Sequence, residues 1–248
     1  MFNQASGLKY YKFFNSLHSK MLFDWYMEIG CRRGRSFGPV RGKTIAVDPF
    51  FQIEANIIGT KPTLHVFQST SDDFFATKFL TVNKIKLCVS FLDGMHLFEF
   101  LLRDFMNTEA SSDPDGVIML HDCVPYNVGM TVRDLDNLPK GAWTGDVWKL
   151  LPVLKRYRPD LTVKVVDCSP TGLVLISNLS PKSTVLSKNY NEICKEYVDI
   201  TIEDFGIQNF GDSLNMISAA SVVEEGFLDF KAVEIDPDKF VKPIWITP

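Results

Sequence analysis

Two short motifs combine carboxylates with histidines, and each follows a short apolar run. Asp93 and His96 stand in DGMH after the run 87–92, and His121 and Asp122 follow the run 117–120. A carboxylate that ends a buried strand is costly unless it meets a metal, another cation or several hydrogen-bond donors. A single such Asp is more often a turn residue, and His96 could equally be a capping or surface histidine. Two motifs after successive runs favour a site that binds a metal or moves a proton.

The loop after the first apolar run contains two glycines and three arginines. It begins at Gly30 and reads GCRRGRS, and glycines in such a loop permit tight turns and close approach to a ligand. Arg32 stands where a dinucleotide-binding G-x-G-x-x-G loop has its second glycine. Asp48 ends the next run, at close to the roughly 20-residue spacing from Gly30 at which an acid accepts hydrogen bonds from ribose hydroxyls. A plain turn in the loop and an Asp-Pro turn at Asp48 are the structural alternatives.

Ser71 and Asp72 follow the third apolar run, within the segment STSDDFF. Ser71 fits the N-cap of a helix that carries acids in its first turn. A cap at this position does not exclude contact with the adenine of a ligand. The arginines of the glycine loop are interpreted as solvated charges, although they could pair with a carboxylate or a phosphate.

These motifs need elements that bring strand ends together. Seven short apolar runs recur along the chain, at 24–29, 43–47, 63–67, 87–92, 117–120, 161–166 and 172–176. Continuous apolar runs are typical of strands that are buried on both faces of a parallel sheet. The last two runs are joined by only a short connection, so they must be antiparallel neighbours. The sequence therefore predicts an α/β fold with a mostly parallel seven-stranded sheet, a terminal antiparallel pair and helices on both faces.

Helices are predicted between several of these runs. The spacing of apolar residues indicates helices over 95–106 and 147–157, and Pro152 should kink the second of them. The stretch 31–42 is interrupted by Gly38-Pro39 and predicts a first helix of only one or two turns.

The connection 123–145 is too long for an ordinary loop between two elements. Long loops at strand ends are often lids or binding loops. Its large side chains are therefore candidates for contact with a substrate, and they are Tyr126, Arg133 and Trp143.

Composition excludes several classes of protein. The chain has 248 residues with 26 Lys+Arg and 30 Asp+Glu, and its formal net charge is -4. This balance argues against a nucleic-acid partner, which a clustered basic excess would indicate. No uncharged apolar run approaches the roughly 18 residues of a membrane helix, so no membrane association is expected. The 5 cysteines are widely spaced and form no C-x-x-C pair, which favours a reducing, cytoplasmic location.

The charges divide the chain into two unlike parts. Residues 178–248 hold 12 acids and 6 bases and contain no arginine. We therefore expect a main domain over 1–177, with a helical lead-in over 1–23, and an acidic C-terminal extension, or appendage, over 178–248. The extension could cover the active-site side, contact the substrate or form a subunit contact in a homo-oligomer.

Taken in order, EIGCRRGRS, AVDP, TSDDFF, FLDGMH and IMLHD, followed by the antiparallel pair, resemble the motifs of class I S-adenosylmethionine-dependent methyltransferases. The resemblance covers 24–177. Within that superfamily, the sequence is similar to small-molecule O-methyltransferases, including metal-dependent ones that methylate sugar hydroxyls of natural products. It implies a Rossmann-like fold, S-adenosylmethionine (SAM) as cofactor, and a small-molecule acceptor whose hydroxyl is methylated, with or without a divalent metal.

The same resemblance assigns roles to the residues that match its motifs. The residues expected to bind the cofactor are Glu28, Gly30, Gly34, Ser36, Asp48, Ser71, Asp72 and Asp93. The first four would line its methionine end, Asp48 its ribose, and Ser71 with Asp72 its adenine. Asp93, His121 and Asp122 match metal ligands, and His96 matches the general base. Relatives often have a carboxylate at position 121, and histidine there favours zinc, iron or manganese over magnesium.

Two other functions stay open at this point. A nicotinamide-dependent oxidoreductase could use a similar sheet, although Arg32 in the glycine loop speaks against it. A binding or scaffold protein with a degenerate cofactor pocket could act through its C-terminal extension. Binding of a dinucleotide would favour the first, and cofactor binding without methyl transfer would favour the second.

Overall fold

Seven strands form one sheet in the order β3-β2-β1-β4-β5-β7-β6. The computed structural model describes residues 2–237, so residues 238–248 of the predicted extension lie outside the described residues. The strands are β1 (Trp25–Ile29), β2 (Lys43–Val47), β3 (Leu64–Phe67), β4 (Leu87–Leu92), β5 (Ser112–His121), β6 (Thr162–Val166) and β7 (Leu173–Ser177). Strands β1 to β5 pair in parallel, whereas β7 pairs antiparallel with both β5 and β6. The predicted sheet and its terminal antiparallel pair are confirmed.

The direction of strand addition reverses between β1 and β4. From β1 the chain continues outward through β2 and β3, and it then crosses to β4 on the other side of β1. In open α/β sheets, ligands bind outside the carboxyl ends of the strands at such a reversal. The loops after β1 and β4 therefore flank the expected crevice.

Helices cover both faces of the sheet, as the sequence predicts. They are α1 (Tyr10–Lys20), α2 (Ser71–Ala76), α3 (Phe79–Val82), α4 (Phe98–Glu109), α5 (Leu150–Tyr157), α6 (Val185–Tyr197), α7 (Ile202–Phe205), α8 (Ile207–Ser213) and α9 (Ala219–Glu224). One core contains the side chains of α2 to α8 against Ile45 and Ile118, and the other contains α1 and α9 against Tyr26 and Phe91. Short 3₁₀ turns lie at Val128–Thr131, Val147–Lys149 and Leu228–Val233.

The predicted short helix over 31–42 is wrong. This stretch forms successive turns, with hydrogen bonds such as Gly38 N–H to the Gly34 carbonyl at 2.9 Å. Arg32 and Gly34 have φ values of 36° and 74°, and left-handed residues interrupt a right-handed helix. The low helix propensities of Gly38 and Pro39 then disfavour a helix in the rest of this stretch.

The helix predicted over 147–157 begins later than expected. A 3₁₀ turn occupies Val147–Lys149, and α5 follows from Leu150. Pro152 consequently lies in the first turn of α5, where its missing N–H removes no helical hydrogen bond. The irregularity of this segment lies before the proline, at the change from 3₁₀ to α geometry.

The described part of the C-terminal extension contributes to both helical layers. Ile193 and Tyr197 of α6 belong to the core around α4 and α5, whereas Phe227 and Phe230 belong to the core around α1. The extension thus packs against the same sheet as the residues that precede it. Within residues 2–237, no helix combines the length and the apolar character that crossing a membrane requires.

Candidate active site

The turns after β1 and β4 touch at the reversal of strand order. Gly30 has a φ of 86°, and its N–H donates to the Val47 carbonyl at 2.9 Å. A Cβ added at Gly30 would lie 1.9 Å from the carbonyl oxygen of Asp93. Only glycine can adopt this conformation and accept so close a neighbour. The predicted glycine turn therefore abuts the DGMH motif.

Asp48 fixes the glycine loop to the end of β2. Its Oδ2 accepts the N–H of Arg32 at 2.7 Å, and its Oδ1 accepts the N–H of Phe50 at 2.6 Å. Each carboxylate oxygen retains a second lone pair that a ligand hydroxyl could use. Asp48 lies at the carboxyl end of β2 beside the glycine loop, and its contact with a ribose remains a prediction.

Glu28 and Ser36 face each other beneath the glycine loop. The Ser36 hydroxyl donates to Glu28 Oε1 at 2.5 Å, and the Tyr26 hydroxyl donates to Oε2 at 2.7 Å. Complete burial raises the pKa of Glu28 to about 8, although both hydrogen bonds act in the opposite direction. These two residues support the loop from the interior, while Gly34 packs against Ile57. Their contact with the methionine end of a cofactor remains a prediction.

The N-cap of α2 is Thr70, so the predicted cap at Ser71 is wrong. Thr70 has extended backbone angles, and its side chain accepts the N–H of Asp73 at 3.1 Å. Asp72 makes a two-pronged ion pair with Arg103 of α4, at 2.9 and 2.7 Å. The bonds from Arg103 lower the pKa of Asp72. The structure thus commits the Asp72 carboxylate to α4, and the adenine contacts of Ser71 and Asp72 remain predictions.

The residues of the two histidine motifs meet at the ends of β4 and β5. His96 Nε2 lies 3.5 Å from Asp93 Oδ1 and 3.4 Å from Asp122 Oδ2. His121 Nδ1 lies 3.2 Å from Asp93 Oδ1 and 3.3 Å from Asp122 Oδ1. Each imidazole therefore contacts both carboxylates. Asp122 has a φ of 59°, a left-handed conformation that Asp tolerates better than most residues.

Charges within this cluster stabilise one another. Burial alone would lower the pKa of His96, but Asp93 and Asp122 raise it to about 9. Burial also opposes protonation of His121, yet the same carboxylates raise its pKa well above the usual range. Burial would raise the pKa of Asp93, and the two histidines instead lower it far below its ordinary value. The arrangement favours an ionised Asp93 beside protonated imidazoles.

His96 presents a defined ring nitrogen to the carboxylates. Its Nδ1 lies 2.9 Å from the carbonyl oxygen of Trp143, and a carbonyl can only accept, so Nδ1 carries a hydrogen. Nε2 then holds the lone pair, or the second proton, that faces Asp93 and Asp122. This is the tautomer that proton transfer at Nε2 requires.

Three side chains could hold a metal ion. Asp93, His96 and Asp122 each offer one ligand atom, and these atoms lie within 4.8 Å of one another. Two carboxylates and one imidazole suit zinc, manganese or iron. His121, the ligand predicted from the resemblance, instead directs Nδ1 at both carboxylates. His96 therefore offers a ligand atom together with the two carboxylates, and the predicted metal-ligand role of His121 remains a prediction.

Two residues of the site carry no sequence motif. The Thr171 hydroxyl donates to Asp122 Oδ1 at 2.6 Å and lies 3.4 Å from His121 Nε2. The ring of Tyr10, at the start of α1, lies 4.2 Å from the His121 ring between centroids. The only signal for Thr171 is its place in the loop of the antiparallel pair beside β5, and Tyr10 has none.

The three substrate-contact candidates have different surroundings. Arg133 is committed to ion pairs with Glu99 and Asp146, so its guanidinium is not directed at a substrate. The Trp143 ring lies 5.0 Å from the His96 ring. Tyr126 is half-buried in the same connection. A shallow cavity between α2, α3 and the end of α4 lies at the other end of the sheet, away from this cluster.

No family model matches the chain, and no curated protein matches it. Among solved structures, cofactor-bound Rv0187 from MTB has a TM-score of 0.50 and 13% identity over 70% of this chain and 80% of that chain. The O-methyltransferase TomG from Streptomyces achromogenes, involved in tomaymycin synthesis and solved with SAM, has a TM-score of 0.49 and 17% identity over 68% and 79%. An O-methyltransferase from Bacillus cereus in complex with SAH has a TM-score of 0.47 and 12% identity over 67% and 79%. The similarity to Rv0187 confirms the Rossmann-like fold, shared with a protein that binds a cofactor.

Proposed function

We propose that this chain is a SAM-dependent methyltransferase that methylates a hydroxyl group of a small molecule. The observation that carries the proposal is the meeting of His96 with Asp93 and Asp122, beside the Gly30 turn at the reversal of strand order. A proton-accepting group next to a cofactor crevice is what transfer to a hydroxyl requires. The ordered motifs of the sequence support SAM as the cofactor.

Residues of the first crevice loops would bind and orient the cofactor. Asp48 is held by two backbone N–H groups, so its oxygens are pre-oriented for hydroxyl groups. Gly30 keeps the loop backbone close to the end of β4, where Asp93 begins the catalytic motif. When bound, SAM supplies a sulfonium methyl group as the electrophile, so the protein needs only to align the acceptor and remove its proton.

In its neutral form, which becomes populated as pH rises towards its pKa of about 9, His96 would receive the proton of the acceptor hydroxyl at Nε2. The acceptor oxygen would exchange its bond to hydrogen for a bond to the methyl group that SAM would supply, with S-adenosylhomocysteine (SAH) as the leaving group. The Trp143 carbonyl holds the opposite nitrogen, and Asp93 and Asp122 stabilise the imidazolium that results. This arrangement performs general base catalysis at one defined atom.

A divalent metal would change the role of His96. Held by Asp93, His96 and Asp122, it would supply Lewis acidity that lowers the pKa of the acceptor hydroxyl. Nε2 has a single lone pair and cannot both bind a metal and accept a proton. Metal binding and general base catalysis by His96 are therefore exclusive alternatives at this site.

Ligand binding tests the cofactor assignment. SAH at millimolar concentration should raise the melting temperature, and Asp48→Ala should abolish the shift. Asp115→Ala is the matched control, because Asp115 is exposed near the start of β5. Absence of any shift in the unaltered protein would contradict the proposal. Methyl transfer to a panel of hydroxylated small molecules then tests the reaction, and His96→Gln should abolish it.

Calorimetric titration with zinc and manganese ions decides between the two roles of His96. If a metal is used, His96→Ala should weaken metal binding more than His121→Ala does, and a chelator should abolish turnover until divalent ion is restored. Full activity after exhaustive chelation would leave His96 as the base.

A further inference from the structure

One segment after β5, residues 130–146, makes several contacts with His96. Its Trp143 supplies both the carbonyl that binds His96 Nδ1 at 2.9 Å and an indole that lies against the imidazole. The N–H of Asp146 donates to the His96 carbonyl at 3.2 Å. Gly145 has a φ of 54°, and a Cβ added there would lie 1.6 Å from the His96 carbonyl oxygen. The ring and the backbone of His96 therefore depend on where this segment lies.

Arg133 links the two ends of the segment to each other and to α4. Its guanidinium contacts both carboxylate oxygens of Glu99, at 3.0 and 2.8 Å, and reaches Asp146 Oδ2 at 2.5 Å. The Trp143 indole N–H donates to the Val132 carbonyl at 2.8 Å. Residues 132–133 are thus tied to residues 143–146, so the part that contacts His96 cannot move away without breaking both connections.

Asp146 has more partners than capping a helix requires. Its Oδ1 accepts the N–H of Phe98 at 2.8 Å, which caps the start of α4. Its Oδ2 is shared by Arg133 and by Lys149 Nζ at 2.6 Å, and both Asp146 and Lys149 are buried. Buried ion pairs seldom add net stability, because desolvation offsets their attraction. Such pairs can instead hold one conformation, and here they hold Asp146, whose N–H donates to the His96 carbonyl.

We propose that Arg133 and Asp146 are positioning residues that set the orientation of the His96 ring through the Trp143 carbonyl. This inference rests on the proposed role of His96 Nε2. Loss of the Arg133–Asp146 pair frees residues 143–146, Nδ1 loses its acceptor, and Nε2 no longer points steadily at the position shared by Asp93 and Asp122. Arg133 acts on the reaction without touching the substrate.

Arg133→Met tests the proposal, with Arg156→Met as the matched control. Arg156 also pairs with a carboxylate, Glu196, but it lies exposed on α5 away from the cluster. For Arg133→Met we expect kcat to fall by about 10- to 100-fold, as misplacement of a reacting group does. KM for SAM and for the acceptor should stay within about twofold, because neither contacts Arg133. Arg156→Met should leave both parameters unchanged.

The ring-nitrogen chemical shifts of His96 provide a readout that needs no turnover. They should change in Arg133→Met and stay fixed in Arg156→Met, with His96→Gln assigning the signals. Arg133→Lys, which retains one charge but not the two-sided contact, should give intermediate results. If Arg133→Met does not fold, Arg133→Lys and Trp143→Phe, which lacks the indole N–H, take its place.

Two results would overturn the inference. One is an unchanged kcat together with unchanged His96 shifts in the Arg133 variants. The other is a raised KM at unchanged kcat, which would assign Arg133 to substrate binding. If the unaltered protein neither binds SAH nor transfers methyl groups, the proposed function fails, whereas the His96 shifts still decide whether Arg133 positions the ring.

Discussion

Two loops at the carboxyl edge of the sheet are held in different ways. The loop after β1, residues 30–42, is held by backbone and hydroxyl hydrogen bonds to Asp48 and Glu28, and three of its four arginines, Arg32, Arg33 and Arg35, are exposed. The connection after β5 is held by ion pairs that enclose Asp146 between Arg133 and Lys149. The first loop keeps its shape without using these three charges, which remain available to a ligand or to solvent. The second uses its charges internally to fix His96.

Asp146→Ala should have the largest effect on stability. It removes the acceptor of Arg133, Lys149 and the Phe98 N–H, and Lys149 is then buried without its carboxylate partner. Breaking a buried ion pair in this way costs about 3–5 kcal/mol, which urea unfolding would measure. Asp115→Ala, at an exposed position of β5, should stay within about 0.5 kcal/mol. A cost near that of the control would show that ion pairs do not hold the second connection.

Gly30→Ala should have the next largest effect, and it acts on the first loop. The left-handed conformation alone costs a non-glycine residue about 1–2 kcal/mol, and the contact with the Asp93 carbonyl adds to this. The variant should also lose the SAH-induced rise in melting temperature, because the β4 turn must shift.

The control for Gly30→Ala is Gly141→Ala. Its Cβ would meet nothing within 4 Å, so stability and SAH binding should be unchanged. Full SAH binding by Gly30→Ala would show that the glycine turn does not contribute to the cofactor site.

The two loops also differ in how far the sequence predicts them. The sheet could be predicted because strands buried on both faces, such as Lys43–Val47, read as continuous apolar runs. Asp48 and the histidine motifs could be placed because they directly follow such runs. The helix expected over 31–42 could not be corrected from sequence, since the φ of Arg32 accompanies a hydrogen bond to Asp48 that only the fold creates.

The remaining parts of the site depend on contacts between distant positions. Thr171 reaches Asp122 across 49 residues of sequence, and Tyr10 reaches His121 from α1. Arg133 looked available for a substrate because a lone arginine in a long loop gives no sign of its partners. Its pairing with Glu99 and Asp146 is visible only once α4 and the connection are packed together.

Glu28→Gln should change how stability depends on pH. The pKa of Glu28 is about 8 in the folded protein and near 4.5 when unfolded, so the folded state retains a proton that the unfolded state releases. Stability is therefore highest below the unfolded pKa and falls as pH rises to about 8, by at most about 1.4 kcal/mol per pH unit.

Glutamine cannot titrate, so the difference in unfolding free energy between Glu28→Gln and the unaltered protein should favour the variant increasingly from pH 4.5 to 8. Burial also raises the pKa of Asp104, to about 7. Its contribution to the pH dependence of stability is the same in both proteins and cancels in this difference. A difference that does not vary with pH would mean that Glu28 is already ionised beneath the loop.

The smallest effect is expected from removing the three exposed loop arginines together, in Arg32→Ala/Arg33→Ala/Arg35→Ala. Their side chains are exposed, and the ion pairs of residues 2–237 include none of them. The loop is held by the Arg32 N–H and by Ser36, and alanine preserves the first of these bonds and leaves the second untouched. Stability should therefore change by less than about 0.5 kcal/mol, at low and at high salt alike. A larger loss that salt suppresses would show that charge holds this loop as well, and the contrast with the Arg133 connection would then disappear.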